Sequence, residues 1–290
     1  MAEEIFFGLD ELVDRALRED LGTGDLTTLG IVPEGVFARG VFLAKEEGVV
    51  AGLPVAARVF RRLDPESEFR CRVEEGTRVA AGTILAEVVG RARAVLCGER
   101  VALNFMRHLS GIATRTARMV ALVQEFQVLV TDTRKTTPGL RALEKYAVRV
   151  GGGKNHRFGL YDGVLIKDNH IRIAGGVKEA VRRVRESMPH TLKIEVEAES
   201  LAQVEEALAA GADVIMLDNM PLETMREAVR LVAGRALVEA SGGITEENIR
   251  AVAATGVDLV SAGALTHSVR ALDISLEIVG SGTDRGVAGE

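Results

Sequence analysis

Four apolar runs in the C-terminal part of the chain begin at residues 192, 214, 236 and 258, a constant spacing of 22 residues. The runs LKIEVE, VIMLDN, ALVEAS and DLVSAG alternate with amphipathic stretches such as SLAQVEEALAAG, PLETMREAVRLVAG and TEENIRAVAATG, several with a cap-type residue in front and glycine behind. That spacing is close to the minimum for one strand, one helix and two short loops. Runs of Val, Ile and Leu without regular polar alternation suit parallel strands covered on both faces. Two upstream runs, VLVTD (128–132) and GVLIK (163–167), extend the series. The pattern predicts a (β/α) barrel or a closely related wound sheet.

Polar or glycine-rich residues follow every run: Thr133-Arg134-Lys135, Lys167-Asp168-Asn169, Glu195-Val196-Glu197, Asp218-Asn219, Ser241-Gly242-Gly243 and Ala262-Gly263-Ala264. In a parallel barrel these ends converge on the C-terminal face, where active sites are built. One such end reads as a helix cap, but six together read as a site. Lys135 and Lys167 stand out, because a lysine that ends a buried parallel strand has to emerge at that face.

Charge is distributed in the same sense. The chain carries −6 overall, yet residues 134–172 hold nine cations against Glu144, Asp162 and Asp168, a local +6, so the remainder carries −12. Separation on this scale focuses a field on an anionic ligand. Glu197 and Asp218 then face a basic wall of Lys135, Arg157 and Lys167, a pairing suited to a phosphorylated substrate that arrives with Mg²⁺, since hard cations take carboxylate and phosphate oxygens. Gly242, Gly243 and Gly263 would admit a phosphate close to the backbone N–H groups that open the following helices.

The stretch VGGGKNHR (150–157) is not a Walker loop, because Val148 and Asn155 occupy positions where that motif needs glycine and Ser or Thr. It reads as a glycine-hinged loop at the barrel mouth that offers His156 and Arg157 to a carboxylate, with Lys154 adding only to the field. Each candidate has a plainer alternative. Glu195 and Glu197 share a strand face, and one can simply pair with a lysine; Asp218 can cap the helix after Pro221. His108 and His190 look like ordinary helix or surface histidines, and His170 and His267 divide evenly between caps and supporting groups.

The first hundred residues differ in texture, with a helix LDELVDRALRED followed by β-rich segments ARGVFLAKEEGVVAG and EEGTRVAAGTILAEVVGRARAVL. VAAGTILAEV resembles the hairpin of lipoyl or biotinyl carriers but has no lysine at its turn, so a structural sandwich is expected. GERVALNFMRHLSGIATRTARMVALVQEF is a long helical pattern joining the two parts, and the tail from about Ser281 is expected to fray. An acidic isoelectric point near 5.6, no tryptophan and 4% aromatic residues argue against a nucleic-acid partner. The acidic N-terminus and the lack of any run of eighteen apolar residues point to a cytoplasmic protein without a membrane partner. Cys71 and Cys97 lack a metal or redox spacing and are expected as buried free thiols.

The segments EDLGTGDLTT, GERVALNFMRHLSGIAT, TDTRKTTPG through IKDNH, EVE, LDN, EASGGI and SAGALTHS run in order from about residue 19 to 270. On these segments the chain resembles the quinolinate phosphoribosyltransferases, the carboxylating nicotinate-nucleotide pyrophosphorylases. The resemblance implies an N-terminal α/β sandwich domain over residues 1–109, joined by the C-terminal segment 271–290, and an open (β/α) barrel of the type II phosphoribosyltransferase kind over 110–270. It implies transfer of phosphoribosyl from 5-phosphoribosyl-1-pyrophosphate to quinolinate with decarboxylation, giving nicotinate mononucleotide, pyrophosphate and CO₂ in de novo NAD biosynthesis. It also implies a homodimer, or a higher assembly built from it, with shared sites.

Carried over residue by residue, the resemblance gives the pyridine carboxylates to Arg134, His156, Arg157 and Lys167, with Thr133 beside them and Arg100 borrowed from the neighbouring subunit. Lys135 would lie between the substrates. Glu197 and Asp218 would hold the ribose hydroxyls and Mg²⁺ beside the pyrophosphate, and with Lys135 they would be the catalytic set. Ser241, Gly242, Gly243, Ala262, Gly263 and Ala264 would cradle the 5-phosphate. No organic cofactor is implied.

Overall fold

The computed structural model describes residues 8–284. Contacts divide the chain into one unit of Met1–Arg115, Ala142–Gly151 and Val269–Glu290, and a second of Thr116–Arg141 and Gly152–Ser268. The chain opens with α1 (Leu9–Leu21), α2 (Leu26–Ile31), β1 (Phe37–Ala44), β2 (Gly48–Val49), α3 (Leu53–Leu63), β3 (Glu68–Cys71), β4 (Arg78–Val79), β5 (Ile84–Arg91) and the long α4 (Ala92–Leu122). It continues through β6 (Leu129–Thr131), α5 (Arg141–Val150), β7 (Val164–Ile166), α6 (Asp168–Ala174), α7 (Val177–Ser187), β8 (Ile194–Ala198) and α8 (Leu201–Ala209). The last elements are β9 (Val214–Asp218), α9 (Leu222–Val232), β10 (Leu237–Ser241), α10 (Ile249–Ala253), β11 (Leu259–Ser261), α11 (Ala264–His267) and β12 (Ile274–Gly282).

In the first unit an antiparallel sheet runs in the order β12-β1-β5-β3, so the C-terminal strand is built into the N-terminal sheet. Phe42, Phe60 and the half-buried Phe69 cluster between β1, α3 and β3, with Phe60 stacked on Phe69 and edge-on to Phe42. Strand pairing of β12 extends to Gly282, so Ser281, expected at the start of a frayed tail, is held by β1. Cys71 is also unlike the expectation: it is exposed, because β3 is the edge strand and most of its residues face solvent. The segment 142–151 lies inside the span 110–270 expected for the barrel, yet its contacts are with the first unit. The reason is local: Glu144 reaches His108 at 2.8 Å and the Tyr146 hydroxyl donates to Glu75 at 2.7 Å.

The second unit contains the six strands read from the sequence, as one parallel sheet in the order β6-β11-β10-β9-β8-β7. Successive strands β7 to β11 pair in sequence order, and β11 then pairs with β6, the first of the series. This is the strand order of a closed barrel cut between β6 and β7, an open barrel. The free side of β6 is met by the glycine-rich segment: the Lys154 N–H donates to the Val130 carbonyl at 2.8 Å, and the Asp132 N–H donates to the Lys154 carbonyl at 3.2 Å. No helix among the described residues is long and apolar enough to cross a membrane.

Within the first unit, Gly111 sits inside α4, and a Cβ there would overlap the carbonyl oxygen of Arg270. In an open helix, alanine is favoured over glycine by about 1 kcal/mol. Here the obstacle is backbone, so Gly111→Ala is expected to destabilise the fold by about 1–3 kcal/mol, read as a lowered midpoint in denaturant unfolding. A raised midpoint would contradict this packing.

Candidate active site

Side chains alternate along a strand, so the ends of the six barrel strands present two layers to the interior. The upper layer contains Thr133, Lys167, Glu197, Asp218 and Ser241, which line one cavity of about 500 Å³. Two residues deeper lie Thr131, Leu165, Glu195, Met216, Glu239 and Ser261, of which Leu165, Met216 and Ser261 reach the cavity as its floor. Five of the six converging ends read from the sequence therefore meet at one cavity.

The rim is cationic and only partly paired. Arg134 and Arg157 line the cavity, and the buried Nε of each has no hydrogen-bond partner. Arg157 is anchored through Nη1, which donates to the Gly163 carbonyl at 3.0 Å. Burial, and then the neighbouring Arg134 cation, pull the Arg157 pKa below its ordinary value. Two guanidinium groups held near each other at the wall of one cavity form a receptor for carboxylate oxygens. Lys167 Nζ lies 2.5 Å from Glu197 Oε2, so these two side chains neutralise each other without ligand. Lys135 is exposed, and its carbonyl accepts from the Thr266 hydroxyl at 2.8 Å, tying the end of β6 to α11.

Across the cavity, Asp218 accepts from the Asn219 side-chain amide at 2.9 Å. Asn219 itself has φ +53°, and its N–H donates to the Ser241 carbonyl at 2.9 Å. Gly242 has φ +95°, and a Cβ there would overlap the Asn219 amide. Glycine is thus required twice at this turn, by conformation and by space. Leu165, Met216 and Ser261 line the cavity but were not singled out from the sequence. The signal was the two-residue step inward from Lys167, Asp218 and Gly263.

Two expectations meet a different geometry. Ala262, Gly263 and Ala264 do not line the cavity; Ala262 is buried, and its N–H already donates to the Thr131 carbonyl at 3.0 Å. A Cβ on Gly263 would crowd the His267 ring and the Lys135 side chain, so this glycine makes room for side chains. His156 lines the cavity, but its ring is aimed at protein groups: Nε2 is 3.0 Å from Glu195 Oε2, and Nδ1 accepts the Arg157 N–H at 2.8 Å. Arg100 belongs to the first unit, where its guanidinium is exposed and 3.7 Å from Glu99. His170 caps its own helix by accepting the Lys167 N–H at 2.9 Å.

Fold and site together define a barrel protein whose strand ends gather cations, two carboxylates and a glycine turn around one polar cavity. The chain belongs to the quinolinate phosphoribosyl transferase family: the family's N-terminal domain matches residues 25–110 and its C-terminal domain residues 112–277. It is 48% identical to the probable nicotinate-nucleotide pyrophosphorylase [carboxylating] of Bacillus subtilis, over 93% of both chains. It is 46% identical to the nicotinate-nucleotide pyrophosphorylase [carboxylating] of Mycobacterium leprae, over 92% of this chain and 96% of that one. The crystal structure of NadC from Streptococcus pyogenes matches with a TM-score of 0.91 at 46% identity, over 95% of this chain and 97% of that one.

Beneath the rim, Glu239 is almost fully buried, with Glu195 beside it and His156 Nε2 3.7 Å away. Burial, and then the Glu195 charge, push its carboxyl up to about 7 from 4.5. The folded protein therefore holds this proton more tightly than the unfolded chain does. The stability it contributes is complete below about 4.5 and is lost as pH rises through about 7. Glu239→Gln is expected to abolish that loss, seen as a flatter dependence of unfolding free energy on pH across this window. Parallel curves for the two proteins would mean that Glu239 is ionised throughout.

Proposed function

We propose that this protein transfers the phosphoribosyl group of 5-phosphoribosyl-1-pyrophosphate to the ring nitrogen of quinolinate with loss of the 2-carboxylate, giving nicotinate mononucleotide, pyrophosphate and CO₂. The observation that carries the reading is the pair Arg134 and Arg157, two partly buried guanidinium groups that line one cavity. A pyridine bearing two adjacent carboxylates supplies the acceptor oxygens they need, and one bearing a single carboxylate supplies half as many.

The chemistry follows from placing charge. The pyridine nitrogen forms a bond to the anomeric carbon while the bond to the pyrophosphate oxygen breaks, so positive charge develops on the ribose. Glu197 and Asp218 stand at neighbouring strand ends, where their carboxylates stabilise that charge. The Lys167–Glu197 pair keeps both groups ready, since a bound dianion draws Lys167 and a cationic ribosyl centre draws Glu197. Once ribosylated, the ring is cationic and accepts the electron pair left at C2 as CO₂ departs; C2 then takes up a proton. The ring nitrogen has no proton to lose, so no general base is required, and catalysis is mostly positioning.

Oxygen donors from Asp218 and Glu197 suit a hard cation, and Asp218 has one carboxylate oxygen to spare beside the Asn219 contact. These two residues would hold Mg²⁺ together with the pyrophosphate, and the ion would supply charge neutralisation of the leaving group. The turn Ser241-Gly242-Gly243 fits the 5-phosphate, because it lines the cavity and the space beside Gly243 is open. A homodimer in the cytoplasm completes the reading, with Arg100 supplied by the neighbouring subunit to the pyridine carboxylates. Its exposed guanidinium supports this assignment, having only the weak contact with Glu99.

Purified protein given quinolinate, 5-phosphoribosyl-1-pyrophosphate and Mg²⁺ is expected to release stoichiometric CO₂ and nicotinate mononucleotide. Turnover of nicotinate but not quinolinate would sink the proposal. Arg100→Ala and Lys167→Ala are each expected to be inactive, whereas subunits mixed by unfolding and refolding regain activity in heterodimers. Heterodimers that form but stay inactive would place Arg100 outside a shared site.

A further inference from the structure

The deeper barrel layer contains three ionisable side chains that the reaction above does not use directly. Glu195, Glu239 and His156 lie together, with donor and acceptor atoms within 4.8 Å of one another. Glu195 and Glu239 are nine-tenths or more buried. The His156 contacts fix its protonation pattern. A backbone N–H can only donate, so Nδ1, which receives the Arg157 N–H at 2.8 Å, must present its lone pair. The ring proton is then on Nε2, facing Glu195 Oε2 at 3.0 Å. The result is a line of contacts from β8 through the ring to the backbone of Arg157.

We propose that Glu195 is a positioning residue for recognition of the pyridine dicarboxylate: it holds His156 as the Nε2–H tautomer, so that Nδ1 fixes the backbone of Arg157 and aims its guanidinium into the cavity. The proposal rests on the quinolinate reading above. It gives His156 a supporting role in place of the direct carboxylate grip implied by resemblance.

Other contacts act on the same segment. Asp132, fully buried at the end of β6, accepts the His156 N–H at 2.9 Å and the Asn155 side-chain amide at 2.6 Å. The Arg157 guanidinium is pinned at Nη1 by the Gly163 carbonyl. Backbone and head group are thus held at separate points, and Nε, which has no partner, lies between them. With a proton on Nδ1 the ring would present N–H to N–H, and the Arg157 amide would be pushed away. Glu195 opposes that state by attracting the ring proton to Nε2. Burial and the neighbouring Glu195 favour the protonated form of Glu239, and Glu195 Oε2 is the carboxylate oxygen that faces Nε2 at 3.0 Å.

The test compares Glu195→Gln, Glu195→Val, His156→Gln and His156→Asn in full-length protein, with both substrates varied. A glutamine amide at 156 reaches Glu195 but has no acceptor at the Nδ1 position; an asparagine carbonyl occupies the Nδ1 position but does not reach Glu195. Glu195→Val and His156→Gln are expected to raise the KM for quinolinate at least tenfold while the KM for 5-phosphoribosyl-1-pyrophosphate changes less than twofold. His156→Asn is expected to raise it less than His156→Gln, and Glu195→Gln less than Glu195→Val. An unchanged quinolinate KM in Glu195→Val, equal rises for both substrates, or His156→Asn worse than His156→Gln would overturn the proposal. Should Glu195→Val fail to fold, nitrogen-15 histidine spectra of the wild-type protein decide: with five histidines, the signal lost in His156→Gln identifies residue 156. An Nε2–H pattern maintained through neutral pH supports the lock, and a cationic ring or Nδ1–H pattern overturns it. Wild-type protein that does not turn over quinolinate would instead refute the functional reading, which separates the two failures.

Discussion

The unpaired side of β6 is the constraint from which the site follows. A parallel strand beside a polar cavity cannot leave its backbone N–H and C=O groups without partners, because burying them unpaired costs about 1–3 kcal/mol each. The open barrel has no neighbouring strand to offer there, and Lys154 supplies one residue of extended backbone instead. That short pairing fixes where the chain must go next. Asn155 and His156 fall against Asp132, His156 falls against Glu195, and Arg157 arrives at the rim. The position of Arg157 is thus set by backbone geometry two and three residues before it.

Much of this architecture was legible in the chain. The 22-residue spacing and the apolar runs placed all six barrel strands, because a parallel strand buried on both faces leaves a continuous hydrophobic trace. The polar ends placed Thr133, Lys167, Glu197, Asp218 and Ser241 on one face, because every strand in a parallel barrel points the same way. Lys154 shows where such reading stops. Its charge suggested a contribution to the field, whereas its structural work is done by its backbone, which carries no side-chain signature.

What remained hidden depends on partners distant in sequence. Nothing local to His156 reveals that Glu195 and Glu239, 39 and 83 residues further on, lie beneath it. The spacing of Glu195 and Glu197 did show that both face inward, but strand alternation gives no depth. Depth separates them: Glu197 reaches the cavity and pairs with Lys167, while Glu195 supports the layer below. Ala262 illustrates the same limit for backbone groups. The resemblance gave it to the 5-phosphate, yet the hydrogen bond to Thr131 that closes β11 onto β6 consumes its N–H.

The two layers also account for the sign of the site. A cationic rim alone would bind any small anion, and its repulsion would have to be balanced somewhere in the fold. Glu195 and Glu239 lie under Arg134, Arg157 and Lys167, so acid in the floor offsets base at the rim. Full ionisation of both acids would cancel too much of the field and would place two like charges in a desolvated layer. Burial and the Glu195 neighbour favour the protonated form of Glu239, which lowers the negative charge of the floor, and Glu195 is directed at His156. The rim therefore keeps a net positive field for a dianion while the floor holds the segment that carries Arg157 in place. The acidity of the chain as a whole is compatible with an anionic substrate for the same reason: what the substrate meets is set by which layer of the barrel each charge occupies.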